Sequence, residues 1–504
     1  MGTNPGSSGV SFGMKTHKMH RHHRGSGAAA AALGLSFLAS CVVNPATGER
    51  QLTLMSEGQE IQMGQDADPD IVASMGLYPD GALQAYVQEL GKELATSSER
   101  PDLPWTFRVL DDPVINAFAL PGGYIYVTRG ILAYLDSEAE LAGVLGHEIG
   151  HVTARHSVNQ ISRAQVAQLG VGVGMILAPE LQRFEGLASA SLGLLFLKFG
   201  RDDERQADEL GVRYMGRLGY DPAQLSGVMG MLGRVTAGGE GGSTPEWLST
   251  HPNPENREAT ILHLAETAEV ASDPPKVVRE AFIQRLDGLI FGQNPREGFF
   301  RDAHFYHPDM RFQMDFPSGW QTANSRQAVQ ALSPGEDAVL ALTVGEGTGA
   351  AAALRTFLAQ DGIQGAGLSE ASVNGLPAAA ADFRLLTEEQ TLDGRVLFLE
   401  HAGTIFRIIA YGVFASWADN RSAARGALES FRPLTDPTYL NVQPARIDVV
   451  RVPRAMSLDG FLAQEGAQDQ GEEVRLLNRL EGNPSLRAGD VLKIPKGGRL
   501  PGGA

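Results

Sequence analysis

The chain has 504 residues, 43% of them apolar, and 59 acidic against 42 basic side chains give a formal charge of −17. That length points to about three domains, and the apolar share is that of a folded protein able to bury cores. The acidic balance excludes nucleic acid or an anionic membrane surface as the main partner, and no internal apolar run reaches the roughly 18 residues a membrane span needs.

From Met14 the N-terminal region reads "MKTHKMHRHHRGSG", which carries Lys15, Lys18, Arg21 and Arg24 and no acid, followed by "AAAAALGLSFLAS" and Cys41. A basic region, a short apolar region and small residues before a cut site make a secretory signal, expected over residues 1–40. Leu38-Ala39-Ser40-Cys41 resembles the lipobox of bacterial lipoproteins, in which cleavage leaves the cysteine lipidated. Cys41 is the single cysteine, so no internal disulfide can form; it is either the lipid anchor or a spare thiol. Several acyl chains anchor a protein stably to a membrane. Val42 stands where an Asp would resemble an inner-membrane retention signal, which favours the outer membrane.

Residues 41–70 read as a tether passing into a first helix, and 71–290 as the first domain. In "GALQAYVQELGKELATSSE", Leu83, Tyr86, Val87, Leu90 and Leu94 fall at helical spacing. "WTFRVLDD" and "GGYIYVTRG" alternate as strands, with Asp-Asp-Pro and Pro-Gly-Gly as breaks. Ser137 followed by Glu140 is a capping-box signature that opens the helix "DSEAELAGVLGHEIGHVTARH". Within it lies His147-Glu148-Ile149-Gly150-His151. Residues i and i+4 share a helix face, so both imidazoles can reach one metal ion while Glu148 turns to the side where an attacking water would lie. The bland alternative is a helix that happens to contain His and Glu.

A catalytic zinc takes three protein ligands, so a carboxylate on another helix has to complete the set. "GRDDERQADELG" offers Asp202, Asp203, Glu204, Asp208 and Glu209. Glu204 and Asp208 share a face, with Ala207 and Gly211 small enough to let a neighbouring helix approach. His156, five residues beyond His151, falls off the ligand face and reads as structural or surface, as do the histidines near His20.

Two apolar stretches between residues 165 and 200, "VAQLGVGVGMILA" and "LASASLGLLFLKFG", are either buried hairpin helices or a surface touching lipid or unfolded clients. "GGEGGSTPEWLSTHPNPENR" precedes two further helices that run to about Leu289. Residues 298–437 read as an α+β domain without a catalytic constellation. In residues 446–497, "NRLEGNPSLRAGDVLKIP" resembles the second half of LysM repeats, with Asn478, Leu486, Gly489, Leu492, Ile494 and Pro495 in place. The first half lacks the usual Gly-Asp-Thr turn and has Met456-Ser457-Leu458 near it. Peptidoglycan binding and a purely structural module both stay open.

Four blocks, "NAFALPGGYIYVTRGIL", "LAGVLGHEIGHVTARH", "RDDERQADELG" and "STHPNPENR", together resemble the HtpX- and CAAX-prenyl-protease-like zinc metallopeptidases, in the periplasmic branch that includes BepA and LoiP. The resemblance implies an α+β multidomain chain whose peptidase domain is mainly helical and zincin-like, of the gluzincin type, with a short sheet. It implies one Zn²⁺ per chain on His147, His151 and Glu204, with Glu148 as general base and Asp208 as a supporting or proton-donating group. Gln206 stands where the family has a second Glu; its similar shape is expected to leave the metal unaffected. Asn116, Ala117, Phe118, Pro121, Gly122 and Gly123 match the strand and loop lining the substrate groove, where an edge strand could bind an extended peptide. His251 either caps the zinc and holds the enzyme latent or shapes a turn, and Arg257 supports that loop or the catalytic helix.

The function so implied is a zinc endopeptidase at the periplasmic face of the outer membrane, cleaving misfolded or stalled envelope proteins. The rivals are a latent, chaperone-like binder of clients and a wall-tethered scaffold. No 34-residue repeat is present, so partner recognition by a helical-repeat domain is not implied.

Overall fold

The structure, a computed structural model, describes residues 41–170, 194, 197–238, 246–251, 257–387 and 390–501. The signal expected over residues 1–40 and most of the two apolar stretches near 165–200 lie outside the described residues.

The segment expected as a tether forms the hairpin β1 (Cys41–Val43) and β2 (Arg50–Leu52), then helix α1 (Glu57–Met75). Ser56 and Gln59 close a capping box at its start. Helix α2 (Gly81–Thr96) follows, its Leu83, Val87, Leu90 and Leu94 buried as the helical spacing predicts. Strands β3 (Thr106–Leu110), β4 (Ala117–Leu120) and β5 (Tyr124–Thr128) make a sheet in the order β3-β5-β4, with β5 parallel to β3 and antiparallel to β4. β4 is therefore an edge strand. Helix α3 (Arg129–Tyr134) leads into α4 (Glu138–Thr153), which carries the His-Glu-x-x-His segment and packs against β4.

Ser137 caps α4 by accepting from the amide of Glu140 at 3.2 Å, but the Glu140 carboxylate takes the Asp136 amide instead, at 2.7 Å. Every residue of α4 from Ala139 to Thr153 is buried. Such a helix must be enclosed, and α6 (Arg201–Arg217), α7 (Ala223–Gly238) and α2 all pack on it. After α4 the chain turns through Arg155, whose φ of +57° ends the helix, and restarts as α5 (His156–Gly170). Glu60, 1% exposed, pairs with Arg100 at 2.8 Å and with Arg155 at 3.0 Å. Arg100 donates to the Val152 carbonyl and Asn44 to that of Ala154, so the open end of α4 is capped by side chains from the preceding segment. Helices α8 (Glu246–Thr250), α9 (Arg257–Thr267) and α10 (Arg279–Arg285) complete this layer, and β6 (Ile290–Phe291) leaves it.

A second region begins with a four-stranded sheet, β7 (Phe299–Arg301), β8 (His304–His307), β9 (Phe312–Asp315) and a later strand β17 (Arg432–Pro433), in the order β17-β9-β8-β7. Its main sheet is antiparallel, built from β10 (Gln321–Asn324), β11 (Ala328–Leu332), β12 (Ala338–Val344), β13 (Ile363–Val373), β14 (Leu376–Leu386), β15 (Thr391–His401) and β16 (Thr404–Val413), ordered β10-β11-β12-β16-β15-β14-β13. Ala378 to Ala381 alternate between faces: Ala379 and Ala381 share a core with α11 (Ala350–Leu358), while Ala378 and Ala380 join the core on the other face, to which α12 (Trp417–Leu428) also contributes. Small side chains in β14 let α11 pack closely on that face.

After α13 (Pro437–Leu440) comes a β-α-α-β unit: β18 (Ala445–Arg451), a short β19 (Met456–Ser457), α14 (Leu458–Glu465), α15 (Gly471–Leu477), a short β20 (Ser485–Leu486) and β21 (Val491–Gly497). Asn478, at the end of α15, donates to the carbonyls of Val474 and Lys493 and accepts from the Lys493 amide, all at 2.8 Å, which pins helix to strand. The unit is not a freely hanging module. β18 pairs with β6 of the first region, and Ile447, Leu477 and Val491 join that region's core. Among the described residues no helix is long and apolar enough to cross a membrane.

Candidate zinc centre

The helix α4 carries His147, Glu148 and His151; α6 carries Glu204 and Asp208; the end of α8 supplies His251, and α9 opens with Arg257. Glycines set the distance between α4 and α6. A Cβ on Gly146 would lie 3.2 Å from Gly211 Cα, and one on Gly150 would lie 3.1 Å from Ala207 Cα. The small-residue face expected beside Glu204 and Asp208 is thus the helix contact itself.

His147, His151, Glu204 and His251 each offer one ligand atom, all within 4.8 Å of one another, and all four are buried. The two Nε2 atoms of His147 and His151 are 3.0 Å apart. Glu204 Oε2 lies 3.6 Å from His147 Nε2, and its Oε1 lies 3.5 Å from His151 Nε2. His147 Nδ1 is 2.9 Å from Asp208 Oδ1 and so donates to that carboxylate. His251 Nδ1 faces the Trp247 carbonyl at 3.2 Å and Thr250 Oγ1 at 2.9 Å. Donation by Nδ1 leaves the Nε2 lone pairs of His147 and His251 turned to the centre of the cluster.

These residues fit a zinc ion. Among the described residues, both oxygens of Glu204, Oε2 of Glu148 and Nε2 of His251 are buried without a hydrogen-bond partner, a costly state for polar atoms unless a cation takes them up. Arg257 Nη1 is 2.9 Å from Glu204 Oε2, an ion-pair distance without hydrogen-bond direction. Nitrogen and oxygen donors in a site holding one His pair from a single helix turn are the set zinc takes. His147, Glu148 and His151 with the distant Glu204 and His251 form a gluzincin catalytic cluster, matching a mononuclear zinc site, one per chain.

The electrostatics follow from enclosure. Burial, aided by Arg257, holds His147 down to about 4, and burial with the neighbouring imidazoles holds His151 well below the usual histidine value. His251 is lowered by the same two causes. Burial pushes Glu148 up to about 8 and raises Glu204 well above the carboxylate range. Asp208 goes the other way: burial would raise it, but the Arg257 guanidinium, bound at 2.7 and 2.8 Å, keeps it low. Both Asp208 oxygens are occupied by Arg257 and His147, so its geometry is that of a group orienting His147, not of a free proton donor. Trp247 donates to Glu148 Oε1 at 3.2 Å, leaving Oε2 as the oxygen free for chemistry.

His156, expected off the ligand face as a structural or surface residue, is buried and offers no atom to the cluster. The helix break at Arg155 turns it back, and His156 Nδ1 sits 2.9 Å from His151 Nδ1, while its Nε2 sits 2.9 Å from Gln206 Oε1. Phe199 stacks on the His151 ring at 4.1 Å. The signal for His156 was its place five residues after His151, but that reads as contact only if the helix is known to end between them.

The groove candidates divide. Asn116 is buried, with its backbone N–H donating to Thr128 Oγ1 and, among the described residues, its side-chain Oδ1 unpartnered. Ala117 and Phe118 lie on the edge strand β4, and Phe118 stacks on Tyr126 at 4.8 Å. Pro121, Gly122 and Gly123 are buried in the β4–β5 turn, where their contacts are with the scaffold. Gly122 has φ +83°, and a Cβ there would meet Ile61 Cα of α1 at 2.6 Å; Gly123 packs on Trp105.

Residues 82–265 match Peptidase family M48. Within that match lies every residue of the cluster. The chain is 30% identical over 239 residues to the beta-barrel assembly-enhancing protease of Escherichia coli (strain K12), covering 46% of this chain and 48% of that protein. It is 33% identical over 221 residues to the protein of the same name from Yersinia pestis, covering 42% and 45%. The mitochondrial metalloendopeptidase OMA1 of Schizosaccharomyces pombe is 29% identical over 262 residues, 51% of this chain and 76% of that one. The chain spans about half the length of the beta-barrel assembly-enhancing proteases it matches. Among solved structures, cyanobacterial PsbP from Synechocystis sp. PCC 6803 aligns with 27% of this chain and 95% of its own, at 14% identity and a TM-score of 0.23, a likeness that carries no argument.

Proposed function

We propose that the chain is a zinc-dependent endopeptidase of a bacterial cell envelope, acting on misfolded or stalled periplasmic and outer-membrane proteins. The single observation that carries this is the buried convergence of His147, His151, Glu204 and His251 beside Glu148. The quality-control role leans on relatives whose names are those of a beta-barrel assembly-enhancing protease and a mitochondrial metalloendopeptidase. The periplasmic location and a lipid anchor at Cys41 lean on the signal-like leader and lipobox of the sequence.

A zinc ion, when bound, supplies Lewis acidity to the scissile carbonyl and to water. Glu148 then takes the proton of the attacking water at its unpartnered Oε2 and hands it to the leaving amine. Trp247 fixes the other oxygen, and Asp208 with Arg257 fixes the His147 ring. The edge of β4, with Ala117 and Phe118, is the place for an extended peptide bound by main-chain hydrogen bonds, which suits substrates of no fixed sequence.

A second reading, a latent client-binding protein, is favoured by one observation: the His251 Nε2 lone pair enters the cluster and lies 3.7 Å from Glu148 Oε1. On this reading that nitrogen would take the zinc's fourth position in place of water. One experiment separates the readings: zinc content and casein cleavage of the wild type, Glu148→Gln and His251→Ala. Zinc near one per chain in all three, with cleavage lost in Glu148→Gln, is the expected result. Cleavage absent in the wild type and released in His251→Ala would make latency the resting state. A chain without zinc would remove both readings.

A further inference from the structure

Two imidazole nitrogens in hydrogen-bond contact, with no cation to bridge them, cannot both be donors or both be acceptors. His151 Nδ1 and His156 Nδ1 are 2.9 Å apart and buried, so one carries the proton and the other accepts it. The choice decides the metal site. If His151 Nδ1 donates, its Nε2 lone pair is free; a neutral His156 then carries its proton on Nε2 and gives it to Gln206 Oε1, 2.9 Å away. If His156 Nδ1 donates, the His151 proton moves to Nε2. There it points at His147 Nε2, 3.0 Å away, and closes the ligand position. In that second state His156 Nε2 is bare, and Gln206 has to turn its amide nitrogen towards it.

We propose that His156 and Gln206 form a positioning relay that sets the tautomer of the zinc ligand His151, with the orientation of the Gln206 amide selecting between a metal-ready and a metal-refusing state. The inference rests on the zinc reading above and adds two residues that hold no metal themselves. Several features give the relay a fixed frame. His156 is 3% exposed and opens α5, directly after the left-handed Arg155. That turn is held by Glu60 through Arg155 and Arg100 and by Asn44 on the Ala154 carbonyl. Gln206 comes from α6, the helix that also brings Glu204. Among the described residues, the carboxylate paired with His156, that of Asp203, is 3.8 Å from Nε2, outside hydrogen-bond range, while Gln206 Oε1 is in contact at 2.9 Å. Phe199 closes the site by stacking on His151 and tilting over His156 at 6.1 Å.

A side chain that only fills space differs from a relay in what its replacement does. Gln206→Leu keeps much of the volume and removes the acceptor. Gln206→Glu keeps an acceptor and, as a carboxylate, cannot present a donor, so it supports the metal-ready state alone. His156→Phe removes the middle of the chain. Loss of a partner that orients a ligand histidine lowers metal affinity roughly ten- to a hundredfold.

The test is a zinc titration of the purified full chain against a competing chelator, with thermal melting of each metal-free variant and the absorption spectrum of the cobalt form. Expected are zinc dissociation constants raised roughly tenfold or more in Gln206→Leu and His156→Phe, and a constant equal to or below wild type in Gln206→Glu. The cobalt spectrum should shift in the first two and hold in the third. Zinc affinity within twofold of wild type in a folded Gln206→Leu overturns the relay, whether or not His156→Phe folds. Equal weakening in Gln206→Leu and Gln206→Glu also overturns it, since shape alone would then account for both. A wild type that binds no zinc overturns the zinc reading, and the relay falls with it.

Discussion

His307 shows how a residue outside the zinc centre is governed by the same physics as those within it. It lies on β8 against Phe312, its Nδ1 accepting from the Met310 amide at 3.2 Å, and the charged groups facing it are Asp309 and Arg296, which pair with one another. Burial holds it down to about 4. Its folded-state value lies below the unfolded one, so the unfolded chain binds the extra proton between pH 4 and 6.5. The stability it contributes is full above about pH 6.5 and is lost as the pH falls towards 4, by about 3 kcal/mol at the limit. His307→Asn keeps an acceptor and does not titrate. Urea unfolding at pH 7 and pH 4.5 should show the wild type losing more stability than this variant; equal losses would mean that His307 stays neutral or is already solvated. At this scale the sequence read well where a residue's role is set by its own helix: His147, Glu148 and His151 needed only the i, i+4 geometry. Glu204 needed the resemblance to be chosen from five nearby acids. The role of Asp208 needed Arg257, 49 residues away in the chain.

Between elements, the contact of α4 with α6 decides whether the ligands converge. Gly211 has a Cβ position 3.1 Å from the His147 amide nitrogen and 3.4 Å from His147 Cα, with backbone atoms that cannot step aside. Gly211→Ala is expected to push the helices apart and cost about 1–3 kcal/mol. It should also weaken zinc binding, because Glu204 rides on the displaced helix. Calorimetric melting with and without zinc checks both; a smaller zinc-induced rise in Tm than in the wild type is the expected sign. The break after α4 explains why the contact of His156 with His151 is not legible in local spacing. On a continuous helix five residues advance about 140° beyond one turn, away from the ligand face. The break depends on Asn44, Glu60 and Arg100, which are remote in sequence, so local spacing could not announce it.

Across the whole molecule, the last 60 residues are tied to the catalytic helix. Arg479 pairs with Glu140 in the first turn of α4, and Lys493, fully buried, donates to the carbonyls of Ala133 and Leu135 just before it. Tyr134 donates to Glu473 at 2.7 Å, and Arg279 pairs with Asp136 at 2.7 Å. Glu140 is 2% exposed, and burial lifts it to about 7 even with Arg479 beside it. Arg479→Ala leaves that carboxyl unpaired. Breaking a buried pair costs roughly 3–5 kcal/mol, and the partial exposure of Arg479 places the expected loss near 2–3 kcal/mol. The expected outcome is a lower Tm for the peptidase region together with reduced casein cleavage. An unchanged Tm would mean that the unit is only lightly docked. This attachment supports the structural alternative for the β-α-α-β unit. A peptidoglycan pull-down with the full chain still decides whether its outer face also binds glycan.

Local sequence determined the elements whose information is local: the helical stripe of α2, the alternating strands β3 and β5, the Ser137 cap and the His147–His151 face are each set by spacing over one or two turns. Tertiary structure alone decided which acid meets which histidine, that Gln206 and His156 reach His151, that the segment before the first helix is a hairpin whose Asn44 caps α4, and that β18 finishes a sheet with β6. The reason is the range of the interactions. Periodicity records which face of an element avoids water, whereas a partner across the core is fixed by how several such faces pack at once, and no single segment carries that information.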